Sequence, residues 1–346
     1  MRALPEGFET GALIGALAEG WAFVAETIDF AAVGFGSYHW VARDAAGTRA
    51  FVTVDDLDRK SWLGGTREAV FHGLSRAFGS AVALRDAGLD FVLAPIPTSD
   101  GEVVRRIGPR HSVALFPFVE GRAGQRFDYD TPEERAAVLA LFARLHQATA
   151  AVDSIARTVD LDLTGRRHLV LALQTVGETW SGGPLSEPAR QALAGRAAEV
   201  AELLGLFDRL SREVALRGTE WVVTHGEPHA VNVIRTEASH WLVDWDTVAV
   251  APPERDLWML VGDPGDDATA YADATGHQPD PLAMDFFRLT WDLNDLAEYL
   301  DVLRSPHREN DDTLTAYAGL TKCVAIRDRW AGLLAGDALC PVPQRR

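Results

Sequence analysis

The strongest constraint on the fold is a change of periodicity about a third of the way along the 346 residues. The first part is strand-rich. "WAFVAETIDF", "GFGSYHWVARD" and "TRAFVTVDDL" read as three strands, with Gly34, Gly36 and Gly47 at the bends between them. A short helix precedes them at 10–19. A long helix follows in "GTREAVFHGLSRAFGSAVALRDAG", with Thr66 as its cap and Gly88 as its stop. "FVLAPIPTSDGEVVRRIG" and "HSVALFPFVEG" supply two further strands, so residues 21–119 read β-β-β-α-β-β. After them the pattern turns helical. "TPEERAAVLALFARLHQAT" opens with Thr131, Pro132 and Glu134 as a capping box. Its apolar face carries Val138, Phe142 and Leu145, with Thr149 beyond. Helical patterns continue over 186–216, 281–304 and 312–335. Only 220–248 breaks this second part, with short strands. The polar, glycine-containing segment 120–128 reads as a linker. The expected class is α+β: a small antiparallel sheet with one long helix over 1–119, then a mainly helical region over 120–346.

Composition removes several functions. Hydrophobic residues make up 47% of the chain, enough for a folded core. No apolar run approaches a membrane span and the first residues lack the layout of a signal peptide, so a cytoplasmic protein without a membrane partner is expected. Cys323 and Cys340 fit no metal or disulfide pattern. The net charge of −17 argues against nucleic acid as a partner and favours cationic small molecules. The nearest basic cluster is Arg105, Arg106 and Arg110 on a hairpin. Only Lys60 and Lys322 are lysines; all other basic side chains are arginines apart from histidine.

The chemistry concentrates in "WVVTHGEPHAVNVIRTEASHWLVDWDTV", 221–248. It reads as a strand, a tight turn carrying His225, Glu227, His229 and Asn232, and a hairpin ending at Asp244, Trp245 and Asp246. An amide oxygen on Asn232 and a carboxylate on Asp244 are the hard donors that Mg2+ takes, few from protein and the rest from phosphates and water. A carboxylate five residues before the Asn can orient or deprotonate an acceptor hydroxyl. His225 and His229 also stand at a zinc-like spacing, but Pro228 between them opposes a regular helix and no third ligand is evident.

With these residues in view, the chain resembles the aminoglycoside phosphotransferase family, the small-molecule branch of the protein-kinase-like fold. That family's loop reads H-G-D-x-H-x-x-N, against His225, Gly226, Glu227, Pro228, His229, Ala230, Val231 and Asn232 here. "DWD" at 244–246 and "FARLHQ" at 142–147 also match, and the order of sheet and helices agrees over essentially the whole chain. The resemblance implies a bilobal kinase-like fold, Mg2+, and ATP or GTP as phosphate donor. It puts Glu227 in the place of the catalytic aspartate, His225 as its buttress, and Asn232, Asp244 and Asp246 at the metal. Gly34, Phe35, Gly36 and Ser37 would cover the phosphates; as bare sequence they read equally well as a hairpin turn. Phe116, Pro117, Phe118 and Val119 would form the hinge at the base. His229 is either structural or in contact with substrate. Asp256 is expected to anchor the loop.

Two departures stand out. The third strand of the family carries a lysine, where this chain has Thr53. Arg59, Lys60, Arg105 and Arg106 are the candidate substitutes, and Glu68 is the candidate helix acid. Glu227 lengthens the expected aspartate by one methylene without changing its chemical type. Asp292, Asp295 and Glu298 recur every three residues on one helix, as a solvated acidic face or as a pocket for an amine-bearing acceptor. The function expected is phosphoryl transfer to a hydroxyl of a small molecule, an aminoglycoside- or aminocyclitol-type antibiotic first among acceptors, by a monomer or homodimer. The other reading is a degenerate kinase-like fold that binds nucleotide or ligand without transfer.

Overall fold

The computed structural model describes all residues except 6, 35, 125–128, 130, 262–266, 326–330, 332, 333 and 336–346. Phe35 and Cys340 therefore lie outside the described residues, as does much of 326–335. The chain forms two compact units. One comprises Met1–Val159 with Trp221–Asp256, the other Asp160–Glu220 with Leu257–Arg346.

Among the described residues, the first unit holds all the strands. Helix α1 (Thr10–Trp21) leads into β1 (Ala25–Ala31), β2 (Ser37–Asp44) and β3 (Arg49–Asp56), then α2 (Arg67–Asp86), β4 (Arg105–Ile107) and β5 (His111–Pro117). These strands make one five-stranded sheet in the order β1-β2-β3-β5-β4, with antiparallel pairing throughout. Side chains alternate between its faces. Trp40, Val52, Val54, Val113 and Leu115 pack with Leu13 and Leu17 of α1. Ala114 and Phe116 pack with Val70, Leu74 and Phe78 of α2. The same period of two puts Thr53 and Asp55 opposite Val52 and Val54, on the α2 face. Thr66 caps α2 by accepting from Ala69 N–H.

The first strand expected between 91 and 108 does not form as such. Val92 makes an isolated bridge to Leu242, and only Arg105–Ile107 joins the sheet. Pro95 and Pro97 remove two backbone donors from the stretch between, so no ladder can run through it. The expected basic cluster is spent internally: Arg106 pairs with Glu68, and Arg110 forks onto Asp56. The supposed linker contributes β6 (Arg122–Ala123), which pairs with β9 (Val233–Arg235).

Helix α3 (Pro132–His146) begins at Thr131, which accepts from Glu134 N–H. Strands β7 (Arg157–Thr158), β8 (Val222–Thr224) and β11 (Ala249–Ala251) form a sheet in the order β7-β11-β8, and β10 (His240–Leu242) completes the order β10-β9-β6.

The second unit is helical: α4 (Arg166–Gln174), α5 (Ser186–Ala194), α6 (Ala197–Leu216), α8 (Thr269–Thr275), α9 (Pro281–Arg304) and α10 (Asp311–Ala325), with α7 (Glu254–Val261) divided between the units. Helix α9 matches its expected span. The expected 186–216 helix breaks at Gly195, and α4, α7 and α8 were not anticipated. Each of those three is under ten residues, too short for a periodic pattern to stand out. Among the described residues no helix is long and apolar enough to cross a membrane.

Candidate active site

The loop after β8 is held from below by one carboxylate. Asp256 accepts from His225 N–H at 2.8 Å, Gly226 N–H at 2.6 Å and His146 Nε2 at 3.1 Å. This is the anchoring role expected of Asp256, and it explains the histidine of "FARLHQ". Burial alone would raise its pKa, but His146 and Arg255 outweigh that and hold the carboxyl below the ordinary range.

Gly226 has φ of +99°, and a Cβ there would stand 2.2 Å from the Arg255 guanidinium. That guanidinium donates to Thr224 Oγ1 at 2.7 Å and to Thr247 O at 2.8 Å. The loop glycine is thus required twice, by dihedral and by space. Thr247 Oγ1 donates to His225 O at 2.7 Å, and Tyr129 O–H donates to Pro228 O at 2.6 Å.

His225 is fully buried and meets the Trp245 ring edge-on at 4.7 Å. Its Nε2–H donates to Val243 O at 2.8 Å, and Nδ1 accepts from Glu227 N–H at 3.3 Å. One ring nitrogen donates and the other accepts, which is the neutral imidazole. Burial lowers its pKa in agreement. The residue braces the loop from inside.

Glu227 keeps 31% of its side-chain area exposed, open to a reactant, and its Oε2 lies 3.7 Å from His229 Nε2. Burial of the rest would raise its pKa, but the contact with His229 outweighs this and holds it below the usual range. It is therefore a carboxylate at neutral pH. Asn232 is buried and donates through Nδ2 to Glu227 O at 3.1 Å, which leaves its Oδ1 as an acceptor. The backbone at 232 continues into the hairpin, where Val243 N–H donates to Asn232 O at 3.0 Å.

Asp244 follows that hairpin with φ of +67° and ψ of +63°, a left-handed conformation that Asp tolerates better than most residues. Its accessible area is that of an exposed residue. The protein packed around it, and then the charges of Asp246 and Glu227, push its carboxyl well above the usual range. Asp246 is buried. Burial raises it as well, against the pull of Lys60.

Lys60 is where the sequence reading was least sharp. It lies in the loop after β3, with 2% of its side chain exposed. Its Nζ stands 2.5 Å from Asp246 Oδ2 and 3.1 Å from Asp55 Oδ1. Burial would lower its pKa, yet Asp246, Asp55 and Asp244 together raise it, so the ammonium is charged. Asp55 Oδ1 also accepts from Ser37 Oγ at 2.7 Å. The chain Ser37–Asp55–Lys60–Asp246 ties the start of β2 to the segment after the hairpin. The other proposed substitutes are engaged elsewhere: Arg59 at Met1 Sδ, Arg105 against Gly20 of α1, and Arg106 at Glu68. Sequence reasoning missed Asp55 and Arg255 outright. The rarity of lysine in an arginine-rich chain was the available signal for Lys60.

The remaining expected residues separate. Gly34 and Gly36 both have positive φ in the β1–β2 turn. Thr53 Oγ1 is 3.2 Å from His39 Nδ1, on the neighbouring strand. Phe116 is buried against Phe78 and belongs to the α2 core. Phe118 carries the Arg49 guanidinium over its ring at 4.1 Å, and Val119 is half-buried. Asp292, Asp295 and Glu298 lie on α9 in the second unit, graded from buried through half-buried to exposed, so they do not form one solvated face.

A kinase-type loop anchored on a buried carboxylate, beside a lysine–aspartate chain on a five-stranded antiparallel sheet, defines a phosphotransferase of the protein-kinase-like class. The phosphotransferase enzyme family (APH) matches residues 71–287, more than half of the chain, and the chain belongs to that family as a small-molecule kinase. Protein StrN of Streptomyces griseus is 28% identical over 270 residues, covering 75% of this chain and 80% of that protein. Among solved structures, a spectinomycin phosphotransferase in complex with ADP and spectinomycin aligns with a TM-score of 0.72 at 18% identity, over 94% of this chain and 99% of that one. An amicoumacin kinase in complex with AMP-PNP and Ca2+ gives 0.62 at 13% identity, over 97% and 96%. At these identities the structural likeness speaks for the fold.

Proposed function

We propose that the protein transfers the γ-phosphoryl group of ATP or GTP to a hydroxyl of an amine-bearing small molecule, an aminoglycoside- or aminocyclitol-type antibiotic first among them. The observation that carries this reading is the convergence of an accessible, ionised Glu227 with Asn232, Asp244, Asp246 and Lys60 within one compact unit. Glu227 accepts the proton of the acceptor hydroxyl. The freed oxygen attacks the γ-phosphorus as the bond to the nucleoside diphosphate breaks. Little covalent work falls to the protein, so its contribution is position and charge.

The donor set suits Mg2+. Asn232 Oδ1 has no hydrogen to donate, and Asp244 offers an exposed carboxylate, both hard oxygen donors. Among the described residues no group of three or more His, Cys, Asp or Glu is placed to hold a metal. Mg2+ takes few ligands from protein and the rest from phosphates and water. Asn232 and Asp244 would hold it, with Asp246 beside them, and it would neutralise phosphate charge.

The antibiotic acceptor is supported by the likeness to the spectinomycin-bound phosphotransferase and by the net charge of −17, which favours cationic ligands. Asp292, Asp295 and Glu298 are the residues we assign to amine recognition, and His229 to the acceptor side of Glu227. A nucleotide donor would suit a cytoplasmic reaction, with resistance or self-protection as the role that fits; a monomer or homodimer would serve.

The test is direct. Purified chain with Mg2+ and each nucleotide is offered a panel of aminoglycosides and aminocyclitols, and phosphorylated products are sought by mass. Nucleotide binding without transfer to any acceptor and without nucleotide hydrolysis, unchanged by Asp244→Asn, would establish the degenerate fold instead.

A further inference from the structure

We propose that Lys60 is the phosphate-contacting cation of this enzyme, delivered by the loop after β3, with Asp55 of β3 as its acid partner. The inference rests on the phosphotransfer reading of the same site. It reverses the expected arrangement: the strand supplies the acid and the loop supplies the base, where strand lysine and helix glutamate were expected.

Four observations carry it. The strand position is spent, since Thr53 sits against His39 and has no cationic group to offer. The helix acid is spent too: Glu68 leaves 67% of its side chain exposed and pairs with Arg106 and His72. Lys60 by contrast reaches from the loop to Asp246, two residues past Asp244, and to Asp55. An ammonium has three donors, and the two carboxylates account for two; Nζ also lies 5.1 Å from the Trp62 ring centre, and the third donor is the one a phosphate oxygen would take.

The fourth concerns the plain alternative, a buried ion pair that merely holds the fold. Such a pair persists when its remaining polar atoms are satisfied. Here Asp55 Oδ2 and Ser112 Oγ are both buried without a hydrogen-bond partner, and the two residues face each other in the β3–β5 register. Unfilled polar positions beside a buried lysine fit a site that takes a polar ligand or its water better than a finished structural bridge. Lysine, as a compact point charge, is an apt phosphate contact.

The chain offers an unusually clean test, because Lys60 and Lys322 are its only lysines. The intact protein is treated with an acyl-phosphate derivative of ATP, which transfers its acyl group to an amine beside the phosphates, and the labelled peptides are mapped by mass. Lys60 should be acylated, and excess ATP should block this while adenosine does not. Labelling at Lys322 should not respond to ATP. ATP binding without ATP-protected labelling of Lys60 would overturn the proposal.

The variant Lys60→Met gives the second readout. Its preference for ATP over adenosine should fall by about tenfold or more, with adenosine affinity kept. An equal loss of both ligands means a structural role, and an unchanged preference means no phosphate contact; either result sinks the idea. If the variant does not fold, the labelling of the wild-type chain decides. A wild-type chain that binds no ATP would end the phosphotransfer reading and this one with it, an outcome distinct from ATP binding that ignores Lys60.

Discussion

Glu227 differs by one methylene from the aspartate that the resemblance leads one to expect, and the structure shows where the extra length goes. Its carboxylate lies 3.7 Å from His229 and still presents 31% of its side-chain area to solvent. Replacing it with Gln keeps the shape and removes the proton acceptor. Steady-state kinetics of Glu227→Gln should show kcat lower by about 10²–10⁴ with nucleotide affinity unchanged, whereas Glu227→Asp should retain more of the rate. Full activity in the Gln variant would refute the proposed role of Glu227 as base. His39 offers a separate check. Burial lowers its pKa from 6.5 to about 4, so it stays neutral in the fold through mild acid. The unfolded imidazole takes up its proton near 6.5 and the folded one near 4. The histidine's stabilising contribution is therefore complete above pH 6.5 and is lost as pH falls toward 4. An NMR titration giving His39 a midpoint above 6 would contradict the packing described. At this scale the sequence was legible at Asp256, whose carboxylate anchors the loop as expected. It was not legible at Lys60, because which of four basic side chains reaches the site depends on the path of a loop, and periodicity says nothing about that path.

Elements constrain the site as strictly as residues do. The turn from β8 into the loop that follows it is closed by Asp256 at the start of α7 and by the Arg255 guanidinium against Gly226. Gly226→Ala must strain a φ of +99° and displace that guanidinium. Urea denaturation should report a loss of about 1–3 kcal/mol from the backbone alone, and more if Arg255 cannot move. A variant as stable as wild type would mean the loop has slack. Strands and long helices were readable because alternation and capping are local: β1 to β3, the Thr66 cap and the full span of α9 all follow from neighbours within a few residues. What failed was the non-local part. Arg122–Ala123 read as linker because its partner, β9, comes over a hundred residues later, and 91–104 read as strand although its prolines deny it a ladder.

For the whole molecule, the first compact unit carries Asp55, Asp244, Asp246 and Glu227 near one another, and burial, then the charges of Asp246 and Glu227, raise the Asp244 carboxyl against the pull of Lys60. A ligand that supplies positive charge and phosphates together should stabilise the fold by mass action. Thermal melting with Mg2+ and a non-hydrolysable ATP analogue, at about a hundredfold the dissociation constant, should correspond to a gain of roughly 2.7 kcal/mol. A chelator should reverse most of it. An unchanged melting temperature with both present would argue that the acid cluster is not a nucleotide–metal site. The order of sheet and helices was legible from composition and pattern. The division into units was not, since it depends on which distant segments return to one another.

That return has a consequence for how the protein is made. The unit holding the candidate site is assembled from Met1–Val159 and Trp221–Asp256, with the stretch between them belonging to the other unit. On the ribosome, the five-stranded sheet emerges long before the loop that would use it, and the carboxylate that anchors the loop comes last, at Asp256. A nascent chain stopped anywhere short of that residue can own the whole sheet and still have no means to act.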